Sequence, residues 1–81
     1  MLDPIAVGIV IQRFREKKGL TQEVVSGLAD IGRTHLSAIE RGTRRPTMDT
    51  FVKIASALRM KPSALMAAIE EEENFCQEDR T

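Results

Sequence analysis

The sequence predicts an all-α domain of five short helices. Three observations point there. No stretch alternates apolar and polar residues with period two over a useful length, so strand signals are nearly absent. Helix caps and stops recur along the chain. The 81 residues, 42 % apolar and 30 % charged with three Phe as the only aromatics, suit one globular domain with a modest core.

The first helix is expected over about residues 4–18. Asp3-Pro4 reads as an N-cap followed by Pro at the first helical position. Val7, Ile11, Phe14 and Lys18 recur at helical spacing, and Gly19 follows a basic end. Ile5 and Ile9 stack on another face of this helix. Phe75 or a partner chain covers them, or they stay exposed, as isolated apolar residues commonly do.

Thr21 caps a second helix, about 22–29, with Glu23 near its positive end and Val25, Leu28 and Ala29 facing inward. Ala29-Asp30-Ile31-Gly32 breaks the pattern. A third helix, about 33–41, buries Leu36 and Ile39 and ends at Gly42. Thr43-Arg44-Arg45-Pro46 is a loop, because the residue before Pro avoids helix. Thr47 caps a fourth helix with Met48, Phe51, Ala55 and Leu58 on one side. Pro62 opens a fifth, in which Leu65, Met66 and Ile69 recur, and it frays within the Glu70–Glu73 run. One domain over 1–72 and an acidic, flexible tail over 73–81 follow.

Charge is unevenly spread. Residues 1–61 hold eleven Lys or Arg against six acids, a net +5, and residues 62–81 hold one Arg against six acids, a net −5. Such asymmetry fits a nucleic-acid partner, and equally a solvated helix end. One Cys excludes an internal disulfide and a Cys-cluster zinc site, and one His leaves little for a metal or a triad. His35 and Ser37 lack the Asp partner and Gly-rich elbow of a hydrolase, so no enzyme, cofactor or small-molecule ligand is expected. The longest apolar run, Ile5 to Ile11, is far short of the roughly 20 residues that span a bilayer. The start lacks a basic signal-peptide region, so a cytoplasmic protein is expected. Cys76, in the acidic tail, is expected as an exposed thiol.

The informative stretch is TQEVVSGLADIGRTHLSAIERG, Thr21 to Gly42. Two short helices joined by a tight turn are the physical signature of a helix-turn-helix. Around it stand RFREKKGLTQE, then IGRTHLSAIERGTRRPTMDTFVKIASAL, then MKPSALM. In this order of parts the chain resembles the Cro and lambda-repressor helix-turn-helix family, also called the XRE family, over roughly residues 5–70. Small controllers of restriction-modification genes belong to it.

The resemblance implies a compact five-helix bundle of the lambda-repressor-like type, with the helix-turn-helix made by helices 2 and 3. It implies a homodimer on a roughly palindromic double-stranded DNA operator, and control of transcription. Arg33 and Thr34 match base-reading positions at the start of the third helix, and His35, Ser37 and Ala38 match groove-facing positions beside them. Gln22 matches a phosphate-binding Gln, and Arg44 and Arg45 match a loop that touches phosphates. Arg15 and Glu40 match a structural ion pair. Chemistry supports these roles: the Arg fork suits guanine O6 and N7, and a helix start favours an anion. The fifth helix, through Leu65, Met66 and Ile69, is the expected dimer contact. Leu65 matches a core position of the family, which leaves Met66 and Ile69 for the partner. The family commonly has Gly where Asp30 stands and a small residue where Ser26 stands. An alternative class is an antitoxin-type module that masks a toxin and regulates its own operon.

Overall fold

The structure, a computed structural model, describes the backbone of residues 2–79 and the side chains through Glu73. The five helices are α1 (Pro4–Lys17), α2 (Gln22–Leu28), α3 (Arg33–Glu40), α4 (Met48–Ala57) and α5 (Pro62–Asp79), with no strand among the described residues. The expected roles of Phe75 and Cys76 lie outside the described side chains.

The starts follow the capping residues. Asp3, Thr21 and Thr47 each accept a backbone N–H two or three residues on, at 2.9, 3.2 and 3.1 Å. Gly32, before α3, offers no side-chain cap. The first four helices end alike. The residue after the C-cap has positive φ, and the next N–H reaches back to close a Schellman motif. Gly19 (φ 70°), Asp30 (φ 55°), Gly42 (φ 79°) and Arg59 (φ 58°) hold that position.

The fifth helix departs from expectation. It continues through Glu70–Glu73 to Asp79, so the boundary expected at 72 falls inside it. Glu is a good helix former, and residues 70–79 contain neither Gly nor Pro to stop the helix.

α1 packs on α3 and α5, α2 packs on α3 and α4, and α4 packs on α5. Val10, Ile11, Val25, Leu36, Ile39, Ile54, Leu58, Leu65 and Ile69 are fully buried where these helices meet. α1 and α3 approach closely at Gly8. A Cβ there would lie 2.5 Å from the Ile39 carbonyl oxygen and nearer still to that of Glu40.

Two expected core residues turn outward. Leu28 is 66 % exposed and Met48 80 % exposed. The buried arc of α2 runs through Val25, Ser26 and Ala29, and that of α4 is centred between Ile54 and Leu58. At 3.6 residues per turn, each outward residue lies about 100° from the centre of its arc. Among the described residues, no helix is long and apolar enough to cross a membrane.

Candidate nucleic-acid interface

α3 carries the expected reading residues on one side. Arg33 and Thr34 are exposed at its start, and His35, Ser37 and Ala38 are half-buried. Arg33, Ser37 and Arg41 follow at four-residue intervals and so share a face. Arg41 Nη1 donates to Ser37 Oγ at 2.6 Å. Arg41 is not among the residues expected at the site, although its spacing from Arg33 and Ser37 is visible in the sequence.

Behind this face lies a polar clamp. Arg15 Nε donates to Glu40 Oε2 at 2.7 Å, and Arg15 Nη2 donates to Glu40 Oε1 at 3.1 Å. This is a two-pronged pair of the kind the planar guanidinium favours. Both side chains are largely out of solvent, at 11 % and 3 % exposure. Arg15 Nη1 also donates to the Leu20 carbonyl at 2.8 Å. The hydrogen bond to Glu40 holds the Arg15 pKa above its ordinary value; burial opposes the shift, and the charges of Glu40 and Glu16 add to it. Three elements meet at this one carboxylate, α1, α2 and the end of α3, and Arg15 ties in the loop after α1.

Gln22 joins this clamp. Its Nε2 donates to Glu40 Oε1 at 2.9 Å, so the side chain expected on a phosphate is held by Glu40 in the free protein. It remains beside Arg33, since both line one open polar depression. The two loop arginines differ. Arg44 is exposed with no hydrogen bond among those of the described residues, whereas Arg45 Nη1 donates to the Leu2 carbonyl at 2.7 Å. That bond braces the N-terminal segment against the loop after α3. The residues involved are 43 apart, and no local pattern announces such a contact.

The expected dimer residues need correction. Leu65 and Ile69 are both 0 % exposed, locked in the protomer's own core, so Ile69 is not available to a partner. A spacing of four on α5 puts the two on the same inward side. Met66 is only partly buried, and it lines an apolar cavity of about 140 Å³ with Leu2, Pro4, Val7, Phe51 and Met48.

Among the described residues, no group of three or more His, Cys, Asp or Glu is placed to hold a metal. The arrangement is a helix that displays donors and cations on one side and is hydrogen-bonded through Glu40 to Arg15 and Gln22 on the other.

The helix-turn-helix family pattern matches residues 11–65. The chain belongs to the helix-turn-helix family, in its XRE-type branch. An uncharacterised HTH-type transcriptional regulator, y4dJ of Sinorhizobium fredii, is 38 % identical over 65 residues, covering 80 % of this chain and 84 % of that protein. The control protein C.MunI of a Mycoplasma species is 36 % identical over 69 residues, covering 84 % and 93 %. Among solved structures, the tetramer of the restriction-modification controller protein C.Esp1396I in complex with its natural 35 base-pair operator aligns with a TM-score of 0.81. That likeness has 28 % identity and covers 89 % of this chain and 95 % of that one. Within the family frame, α2 and α3 are the helix-turn-helix pair, and Asp30 is the left-handed residue of its turn.

Proposed function

We propose that this protein is a transcriptional regulator that binds a roughly palindromic operator as a homodimer, in the manner of a restriction-modification controller. The observation that carries this reading is the construction of α3. Its inner side is clamped by Arg15, Glu40 and Gln22, and its outer side presents Arg33, Thr34 and Ser37. A helix held so firmly can enter the major groove without reorganising, and its first residues meet the base edges. Arg33 and Thr34 read bases, His35 and Ala38 lie close by, and Arg41 and Arg44 meet phosphates. Arg45 and Gln22 reach phosphates once they exchange their present partners, Leu2 and Glu40.

Two half-sites about 34 Å apart require a two-fold dimer. The contact we propose for it is the face around Met66, Met48 and Phe51, and what supports this is an exposed Met beside an apolar cavity. A knob and a hole on one patch suit a self-complementary interface. Such a regulator works in the cytoplasm, and its relatives give no support to the toxin-masking alternative.

The test is selection of duplex fragments from a random pool by the purified protein. A recurrent inverted repeat is the expected result, and an unenriched pool would end the proposal. Sedimentation of a Met48→Glu, Met66→Glu variant addresses the dimer. Loss of the dimer with retained helical signal supports the placement, and an unaltered dimer rejects it.

A further inference from the structure

A groove between α2 and the end of α4 lies apart from the DNA-reading face. Val24 and Leu28, 45 % and 66 % exposed, stand one helical turn apart along it. Leu20, Ala57 and Leu58 complete its apolar lining. The charged residues lining it are Lys18 and Arg59, both cations. No residue of α3 lines it.

Arg59 is an independent observation. It holds the left-handed position after α4, with φ 58°, as Asp30 does after α2, where α1 and α3 end in Gly19 and Gly42. The Cβ of an L-residue carries a steric cost at that position, and Arg59 is one of the residues that line this groove. Among the described residues, neither Lys18 nor Arg59 has an ion pair. The groove therefore combines an apolar pair that lacks cover with two cations that lack counter-charges.

We propose that this groove docks an acidic amphipathic helix of another protein. Two apolar side chains one turn apart on the partner seat against Val24 and Leu28, while Asp or Glu on its flanks face Lys18 and Arg59. A nucleic-acid backbone would satisfy the cations but would leave the apolar pair uncovered, so an acidic helix matches more of the surface.

The probe is a fluorescein-labelled helical peptide of about 18 residues, long enough to hold a helix, with Leu at i and i+4 and Glu on both flanks. Anisotropy titration with the full chain should show saturable binding that weakens with added salt. A control peptide with Gln in place of Glu should bind severalfold more weakly. Two variants locate the site. Leu28→Glu removes an apolar contact and repels the peptide. Arg59→Gly removes the cation and also relieves the left-handed residue, so it should fold at least as stably as the parent. Both should weaken peptide binding severalfold and leave affinity for duplex DNA unchanged. Absence of peptide binding, or binding indifferent to both substitutions, overturns the proposal. So does a loss of DNA affinity and salt dependence in Arg59→Gly, which would assign the cations to phosphates.

Discussion

On the inward side of α3, Leu36 and Ile39 are 0 % exposed and Glu40 is hydrogen-bonded through both oxygens. On the outward side, Arg33 and Thr34 stand in solvent with no hydrogen bond among those of the described residues. The two sides of one eight-residue helix thus answer to different physics. Inward residues are judged by what they would leave unpaired or unfilled, and outward ones by what they would meet on another molecule. Changes on the first side should appear in stability, and changes on the second in binding alone.

Breaking the clamp should give the largest effect. Glu40→Ala leaves the Arg15 guanidinium in a place 11 % exposed with its main partner gone. Orphaning one member of a buried pair costs about 3–5 kcal/mol, a large share of the stability of so small a domain. Urea unfolding of Glu40→Ala, Arg15→Ala and the double variant measures it. A coupling energy near zero would mean that the clamp is an accident of proximity rather than the support of α3.

Gly8→Ala attacks the same support from α1 by volume rather than charge. The added methyl meets backbone carbonyls of Ile39 and Glu40, which cannot swing aside as a side chain could. Overpacking of this kind costs about 1–3 kcal/mol, and the two helices must part slightly. A lower melting temperature is expected, and weaker DNA binding should accompany it if the seat of α3 matters for docking. A melting temperature equal to that of the parent would show that α1 can slide over α3 without penalty.

The outward side should behave in the opposite way. Arg33→Ala is expected to leave the melting temperature within error and to cost about 1–3 kcal/mol of operator binding, with preference relaxed at one base position per half-site. Arg44→Ala should weaken specific and non-specific duplexes about equally and lower the salt slope by roughly one unit. Binding measured over a salt series separates the two. An unchanged base preference in Arg33→Ala, or an unchanged slope in Arg44→Ala, removes that residue from the interface.

The two sides were also unequally legible in the sequence. Helix positions could be read because caps and stops are local: Asp3, Thr21 and Thr47 start α1, α2 and α4, and Gly19 and Gly42 end α1 and α3. The end of α5 could not, because a Glu run carries no stop signal. Leu28 and Met48 differ from expectation because a short helix has too few apolar positions to define its buried arc, and both residues lie outside that arc. On the site, Arg33, Thr34 and the Arg15–Glu40 pair came from resemblance. The partners of Gln22 and Arg45 are side-chain contacts across 18 and 43 residues, which periodicity does not reach.

The smallest expected effect concerns the turn that joins the two helices. Asp30 holds the left-handed position with φ 55°, and its N–H donates to the Gly27 carbonyl while that of Ile31 reaches Ser26. Gly fills the equivalent position after α1 and α3, where its missing Cβ removes the steric cost. A left-handed L-residue costs roughly 1–2 kcal/mol, less for Asp than for most, and Gly gives back about 0.4–1 kcal/mol through the freedom it adds to the unfolded chain. Asp30→Gly should therefore stabilise the fold by no more than about 1 kcal/mol, a few degrees in melting temperature for a domain of this size. Because Asp30 precedes α3 and is not one of the side chains proposed to read bases, operator affinity should hold. A more stable variant with weaker binding would show that Asp30 sets the angle between α2 and α3 as well as closing the turn, and the division between supporting and reading residues would then run through the turn rather than along the helix.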